Sequence, residues 1–205
     1  MIITTADPKF RFDAGKHRYY YEDIEVPGVS GILKAGNLTS IGFIPKDILE
    51  RSSRFGTAVH KACELYDNGE LDEASLDPNL KPYLNAWIRF KADTGCLIEH
   101  NEAKVYSRKY HYMGTLDRVV VINGKRLILD IKTGLVYPSM AIQLSGYQVG
   151  YNEGLALKDR AIGRLVVQLK ENGTYSLPAK DFFKPSDFNV FKACLTIKNW
   201  RKYGK

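Results

Sequence analysis

The chain lacks the features that place a protein in a membrane or on the secretory route. No apolar run in its sequence approaches the roughly 18 residues that a membrane span needs. The N-terminus has no basic region followed by an apolar core, so no secretory signal is predicted. We therefore expect a cytoplasmic protein with no membrane partner.

Cysteine is scarce. Cys63, Cys96 and Cys194 are odd in number, widely spaced and in no metal-binding pattern. This usage favours a reducing, cytoplasmic-type compartment, and we expect all three to be buried thiols.

Internal repeats and low-complexity tracts are also missing. At 205 residues the chain is large enough to bury a substantial core without disulfides, so we predict a single domain, 1–205. What the chain has in excess is positive charge, with 30 Lys and Arg against 23 Asp and Glu and a net charge of +7. This surplus agrees with a polyanionic partner such as nucleic acid but does not establish one.

A β-hairpin is predicted in the middle of the chain. Two apolar, β-branched runs, 116–122 and 126–131, flank Asn123-Gly124. This dipeptide is the one most favoured in a two-residue type I′ turn, because both positions need a positive φ. The pairing set by this turn places Asp117 on one strand opposite Asp130 on the other.

Two opposed carboxylates repel each other, because directly opposite Cβ atoms lie only about 4.5–5.5 Å apart. Lys132, two residues beyond Asp130 and on the same face, offsets part of the repulsion, and a divalent cation can offset the rest. Hydrolysis of a phosphodiester needs an attacking water, an ion that neutralises phosphoryl charge, and stabilisation of the leaving alkoxide. Acidic ligands beside a lysine meet these needs.

The helices upstream of the hairpin carry a possible metal ligand. Pro45 opens a first helix, and a longer one is predicted from about 53 to 66. Gly56, His60 and Glu64 are spaced four residues apart, so they lie along one stripe of the longer helix. A lone histidine in such a place is usually packed or inert, and its importance depends on its neighbours in space.

The elements on either side of the hairpin carry further polar residues. Glu99 and Glu102 lie on the strand predicted just before it, on opposite faces, so only one of them can point to the acidic patch. After the hairpin, a helix opened by Pro138 carries Gln143 and Tyr147 one turn apart.

The order of elements is helices, three strands, a helix, a strand pair and a final helix. The hairpin strands are apolar on both faces apart from their charged residues, so helices should cover both faces of the sheet. The sequence therefore predicts an α/β (α+β) fold with a central mixed β-sheet flanked by helices.

Four short motifs give this chain a family resemblance. Gly56 to His60, Gly114 to Asp117, Asp130 to Lys132 and Gln143 to Tyr147 occur in this order on the predicted elements. The set resembles the RecB-like and phage lambda exonuclease-like branch of the PD-(D/E)XK nuclease superfamily, and it spans a motif core of about 55–151. The resemblance implies a restriction-endonuclease-like core.

The resemblance also implies roles for individual residues. His60, Asp117, Asp130 and the carbonyl of Ile131 would be metal ligands for Mg²⁺ or Mn²⁺, and Lys132 would serve the attacking water. Contacts to the substrate, or support of the lysine, are implied for Gln143 and Tyr147. An additional acid near the metals is implied as well, and both Glu102 and Glu64 are candidates for it.

The function implied is a metal-dependent DNA exonuclease that leaves 5′-phosphate and 3′-hydroxyl ends, in phage or bacterial recombination or repair. A structure-specific endonuclease or nickase on the same core is the alternative enzyme. A nucleic-acid-binding module whose catalysis has lapsed is the alternative outside enzymes. The expected partner is DNA, with a homo-oligomer or a recombination protein as further possibilities. Three cysteines away from the motifs exclude the four-cysteine iron–sulfur cluster that some members of this branch bind.

Overall fold

Short strands come first in the chain, then helices, then long strands connected by further helices. The computed structural model describes residues 2–3, 9–13, 15–39 and 44–203. The strands within these ranges are β1 (Ile2–Ile3), β2 (Phe10–Asp13), β3 (Arg18–Tyr21), β4 (Ile24–Val26), β5 (Leu97–Ser107), β6 (Tyr112–Ile122), β7 (Lys125–Lys132), β8 (Gly163–Leu169) and β9 (Tyr175–Ser176). The helices are α1 (Val29–Ala35), α2 (Lys46–Asp67), α3 (Lys81–Thr94), α4 (Ser139–Asn152) and α5 (Asp187–Tyr203). None of the helices in these ranges combines the length and apolar character that crossing a membrane requires.

The main sheet holds six strands in the order β1-β5-β6-β7-β8-β9. Neighbouring strands are antiparallel except β7 and β8, which are parallel. Parallel neighbours need a crossover connection, and α4 lies in the segment that makes it. The predicted α/β class with a central mixed sheet is confirmed. A separate antiparallel sheet contains β2, β3 and β4.

Two buried clusters of apolar side chains lie against the main sheet. The first contains side chains of α1, α4 and α5, such as Leu144, together with Ile128 of β7. The second contains side chains of α2 and α3, such as Trp87, together with Leu129 of β7. Ile128 and Leu129 are adjacent in one strand, and adjacent strand residues point to opposite faces. The two groups of helices therefore pack on opposite faces of the sheet.

The hairpin of β6 and β7 has the predicted turn and register. Asn123 and Gly124 both have a positive φ, of 50° and 72°, as a type I′ turn requires. The ladder runs from the pair of Ile122 with Lys125 to the pair of Arg118 with Leu129. In the same register, the next pair of residues would be Asp117 and Asp130, the two acids of the predicted site.

The prediction of two separate helices after Pro45 is wrong. A single helix of 22 residues, α2, runs through this region. No glycine or proline interrupts residues 46–55, and the serines at 52 and 53 lie on an exposed stretch where their modest helix propensity is tolerated.

Candidate metal centre

Three side chains of the types that bind metal ions come together between α2 and the sheet. His60 of α2, Glu102 of β5 and Asp117 of β6 each offer one ligand atom, and these atoms all lie within 4.8 Å of one another. We call this group the ligand cluster. All three side chains line a cavity of about 770 Å³. Glu64 lines the same cavity and lies outside the cluster; its carboxylate is 2.9 Å from the ammonium of Lys61.

The side-chain alternation of β6 breaks where the cluster forms. Leu116 and Val119 both belong to the core cluster packed by α1, α4 and α5, although residues three apart on a regular strand point to opposite faces. Arg118 instead pairs with Asp67, the last residue of α2, on the other side of the sheet. The strand is therefore distorted around Asp117.

A second irregularity lies directly across from Asp117. The flanking pairs of β5 and β6 are Asn101 with Arg118 and Ala103 with Leu116, which leaves Glu102 opposite Asp117. Glu102 has a φ of 47°. This is the left-handed region, which costs a residue other than glycine roughly 1–2 kcal/mol. Backbone strain of this kind clusters at functional sites, so it adds to the case for Glu102.

The side chain of Asp117 is held by the main chain of β7. Its Oδ2 accepts a hydrogen bond from the backbone N–H of Ile131 at 2.9 Å, two residues beyond Leu129, the last residue of β7 in the ladder with β6. A carboxylate oxygen thus satisfies a donor that the ladder leaves unpaired. This contact fixes Asp117 at the point where the two strands stop pairing.

His60 is oriented by the same residue of β7. Its Nε2 lies 2.8 Å from the carbonyl oxygen of Ile131, and a carbonyl can only accept, so Nε2 carries the hydrogen. Nδ1 then faces Asp117 Oδ2 at 3.3 Å. In a neutral imidazole both of these atoms are acceptors, so their approach is favourable only with a proton on Nδ1 or a cation between them. The predicted ligands His60, Asp117 and the Ile131 carbonyl are therefore neighbours.

The surroundings of Glu102 disfavour the ionised form of its carboxyl group. Burial and the negative charge of Asp117 raise the pKa of Glu102 to about 7, and Arg118 acts in the opposite direction. The Nη1 atom of Arg118 lies 3.7 Å from the Glu102 carboxylate. A divalent cation beside both carboxylates would favour the ionised form of each, because it replaces like-charge repulsion by attraction.

Asp130 and Lys132 form an ion pair next to the ligand cluster. Lys132 Nζ lies 2.6 Å from Asp130 Oδ2. Burial raises the pKa of Asp130, and Lys132 opposes that rise. Burial lowers the pKa of Lys132, but the charges of Asp130 and Asp117 outweigh burial and raise it. Lys132 lines the cavity, whereas Asp130 is 3 % exposed and lies outside its lining.

Gln143 and Tyr147 lie on α4 as predicted and are joined to each other. Gln143 Nε2 donates to the Tyr147 hydroxyl at 3.3 Å. Tyr147 is buried, and its ring packs so closely on Gly114 that a Cβ added there would lie 2.5 Å from Tyr147 Cε1. Neither residue is among those that line the cavity. The pair thus joins α4 to the strand that carries Asp117.

A buried charged network supports the cluster, and the sequence analysis missed it. Asp67 accepts hydrogen bonds from Arg118 at 3.2 Å, from Lys91 at 2.6 Å and from the Trp87 indole at 3.0 Å. Arg118 in turn donates to the carbonyl of Asp117 at 2.9 Å. The side chains of Arg118 and Asp67 are fully buried. The available signal was an arginine within an apolar strand directly after a predicted ligand.

The ligand cluster fits a divalent cation. It combines one imidazole with two carboxylates, a donor set used by many divalent ions, and its acids repel each other without a positive charge between them. The donor set does not select one metal. Glu102 joins His60 and Asp117 in this cluster, while Asp130 is paired with Lys132.

No protein-family model matches the chain, and no curated protein matches its sequence. The chemistry of the centre is therefore inferred from its residues and their geometry.

Proposed function

We propose that the protein is a Mg²⁺- or Mn²⁺-dependent DNA exonuclease that hydrolyses phosphodiester bonds to 5′-phosphate and 3′-hydroxyl ends. The observation that carries this proposal is the meeting of His60, Glu102 and Asp117 within 4.8 Å in a cavity that Lys132 also lines. A cation site with an adjacent ammonium matches what phosphodiester hydrolysis requires.

Each residue of the site has a separate role in this proposal. His60, Glu102 and Asp117 would hold the cation, which supplies positive charge at the phosphate and makes an attacking water more acidic. Ile131 orients two of these ligands, because its N–H binds Asp117 and its carbonyl binds His60. Lys132 contributes a positive charge at the cavity wall, and Asp130 fixes the position of its ammonium.

The ordered motifs support membership of the PD-(D/E)XK superfamily, in the RecB-like and phage lambda exonuclease-like branch. His60, Asp117, Asp130 with Lys132, and Gln143 with Tyr147 all lie on the elements that this resemblance implies. The net charge of +7 is compatible with a DNA partner. Within this proposal the protein acts in phage or bacterial recombination or repair.

A time course on end-labelled single-stranded, duplex and closed-circular DNA, with Mg²⁺, Mn²⁺ or a chelator, tests the proposal. We expect cleavage of linear DNA from its ends, dependence on the metal, and an intact circle. Cutting of the circle would favour the alternative of an endonuclease or nickase. Binding without cleavage under every metal condition would favour the binding module.

A further inference from the structure

A second cavity of the protein is strongly basic. It has a volume of about 840 Å³ and lies between β3, β4, α1 and the last turns of α5. Its cationic lining residues are Arg18, Lys34, Lys198, Arg201 and Lys202. We call this set the basic groove. Among the described residues of its lining, Glu25 is the one carboxylate, so the formal surplus is four positive charges.

Part of this charge is fixed by contacts within the protein. Arg18 pairs with Glu25 at 3.2 Å, and Arg201 donates to the carbonyl of Ala35, at the end of α1, at 3.0 Å. Lys34 and Lys198 have no carboxylate within ion-pair distance in the described part of the chain. These two ammonium groups are therefore available to an anion that enters the groove.

The close approach of α1 and α5 creates the groove. A Cβ added at Gly36, just after α1, would collide with Cys194 Sγ of α5, and a Cβ at Gly31 would come to 4.0 Å from Lys198 Nζ. Glycine at position 36 lets α5 lie directly against the end of α1, whereas a Cβ at position 31 would make only an ordinary contact. The positive charges of two distant chain segments are thus concentrated on one concave surface.

α1 begins beside the strand that carries Asp117, on the face of the sheet opposite α2, and ends at the basic groove. Val29, the first residue of α1, packs on Gly114, where a Cβ would lie 2.9 Å from Val29 Cγ2. Gly114 precedes Asp117 by three residues on β6. Lys34 is near the other end of α1, five residues from Val29, which corresponds to about 7.5 Å along a helix axis.

We propose that the basic groove binds the phosphate backbone of a nucleic acid strand. The identity of the ligand rests on the proposed function; the site itself rests on the groove's charge and shape. Five cations that line one concave surface suit a chain of phosphates better than one small anion, and lysine ammonium groups contact phosphates as point charges. The groove would hold the strand in register without reading its sequence.

Fluorescence anisotropy with labelled single-stranded DNA in a chelator tests this, because binding is then measured without cleavage. The groove variant Lys34→Gln/Lys198→Gln is compared with Lys125→Gln/Lys158→Gln, which removes the same charge from two exposed lysines outside the groove. We expect weaker binding by the groove variant alone. Its plot of log K against log salt should be about 1.4 shallower, since each phosphate contact on a single strand contributes roughly 0.7.

The outcomes separate this inference from the proposed activity. Equal affinity and salt dependence in both double variants would overturn the groove as a binding site, whether or not the wild type cleaves DNA. Inorganic phosphate that competes as well as DNA at equal phosphate concentration would overturn it in favour of a small-anion site. If the groove variant loses binding and the wild type cleaves DNA under no condition, the basic groove is supported as a binding site and the proposed nuclease activity is refuted. Circular dichroism and thermal unfolding of both variants establish that they are folded.

Discussion

Asp117 Oδ2 and the backbone N–H of Ile131 are joined by a 2.9 Å hydrogen bond at the point where β6 and β7 stop pairing. The Asp117 carboxylate, a member of the ligand cluster, therefore also holds β6 and β7 together at the end of their ladder. Its structural role and its charge can be separated by substitution, because an amide oxygen can accept the same hydrogen bond.

Asp117→Asn should leave the metal-free fold nearly unchanged and remove the response to metal. Wild-type protein with Mn²⁺ at one hundred times its Kd should gain about 2.7 kcal/mol of stability, or roughly 5–10 °C in Tm for a chain of this size. The variant should gain little, because the ligand cluster loses one of its two carboxylates. Thermal unfolding with Mn²⁺ and with a chelator measures this. Asp93→Asn, at an exposed acid of α3, is the control and should respond like the wild type.

Lys132→Met should abolish cleavage and also destabilise the fold, because it leaves the buried carboxylate of Asp130 without its partner. Removal of one member of a buried pair costs about 3–5 kcal/mol. The double variant Lys132→Met/Asp130→Asn should recover most of that loss in urea unfolding and remain inactive. Cleavage by a stable double variant would contradict the role given to Lys132.

The stability of the metal-free protein should fall as pH rises from about 4.5 to 7. The folded-state pKa of Glu102 is raised to about 7, so folding favours the protonated form, and this contribution is lost as the carboxyl group ionises. The Glu102 side chain is 41 % exposed, so the effect is discounted for solvent screening to about 1 kcal/mol. Urea unfolding in a chelator across this range measures it. Burial also raises the pKa of Asp130, so Glu102→Gln should reduce this slope without removing it, and an unchanged slope in that variant would contradict the assignment.

The motif glycines Gly56 and Gly114 should respond oppositely to alanine. A Cβ at Gly114 would lie 2.5 Å from Tyr147 and 2.9 Å from Val29, an overpacking that costs typically 1–3 kcal/mol. Among the described residues, a Cβ at Gly56 would have Thr133 Oγ1 as its single neighbour within 4 Å, at 3.6 Å, and alanine favours a helix interior over glycine by roughly 0.5–1 kcal/mol. Thermal unfolding should therefore show a lower Tm for Gly114→Ala and an equal or higher Tm for Gly56→Ala.

Short-range chemistry made much of the hairpin predictable. Asn123-Gly124 determined the turn, and the turn determined the register down to Arg118 and Leu129. Asp117 leaves the ladder because its side chain, not its main chain, accepts the hydrogen bond from the Ile131 N–H. Strand periodicity does not encode such an exchange. Strand alternation alone could not say whether Glu99 or Glu102 points to the acidic patch. In the structure Glu102 belongs to the ligand cluster, whereas Glu99 pairs with Arg126 at 2.7 Å.

Contacts between distant segments were the least predictable. The Asp67 and Arg118 pair joins the end of α2 to β6, 51 residues apart in the chain, and no local pattern marks Asp67 as its partner. The continuous α2 also became clear only in the fold. The orientation of His60 depends on the contacts of its two ring nitrogens with Ile131 and Asp117, which no local pattern encodes.

Cys194 of α5 packs against Gly36 at the end of α1, so the reactivity of its thiol depends on the packing of these two helices. Burial raises the pKa of the Cys194 thiol and leaves the residue only 4 % exposed, so an alkylating reagent should reach it slowly while α5 stays packed on α1. The rate of its labelling would therefore follow the local opening of this helix pair, and a polyanion that bridges both helices should slow it.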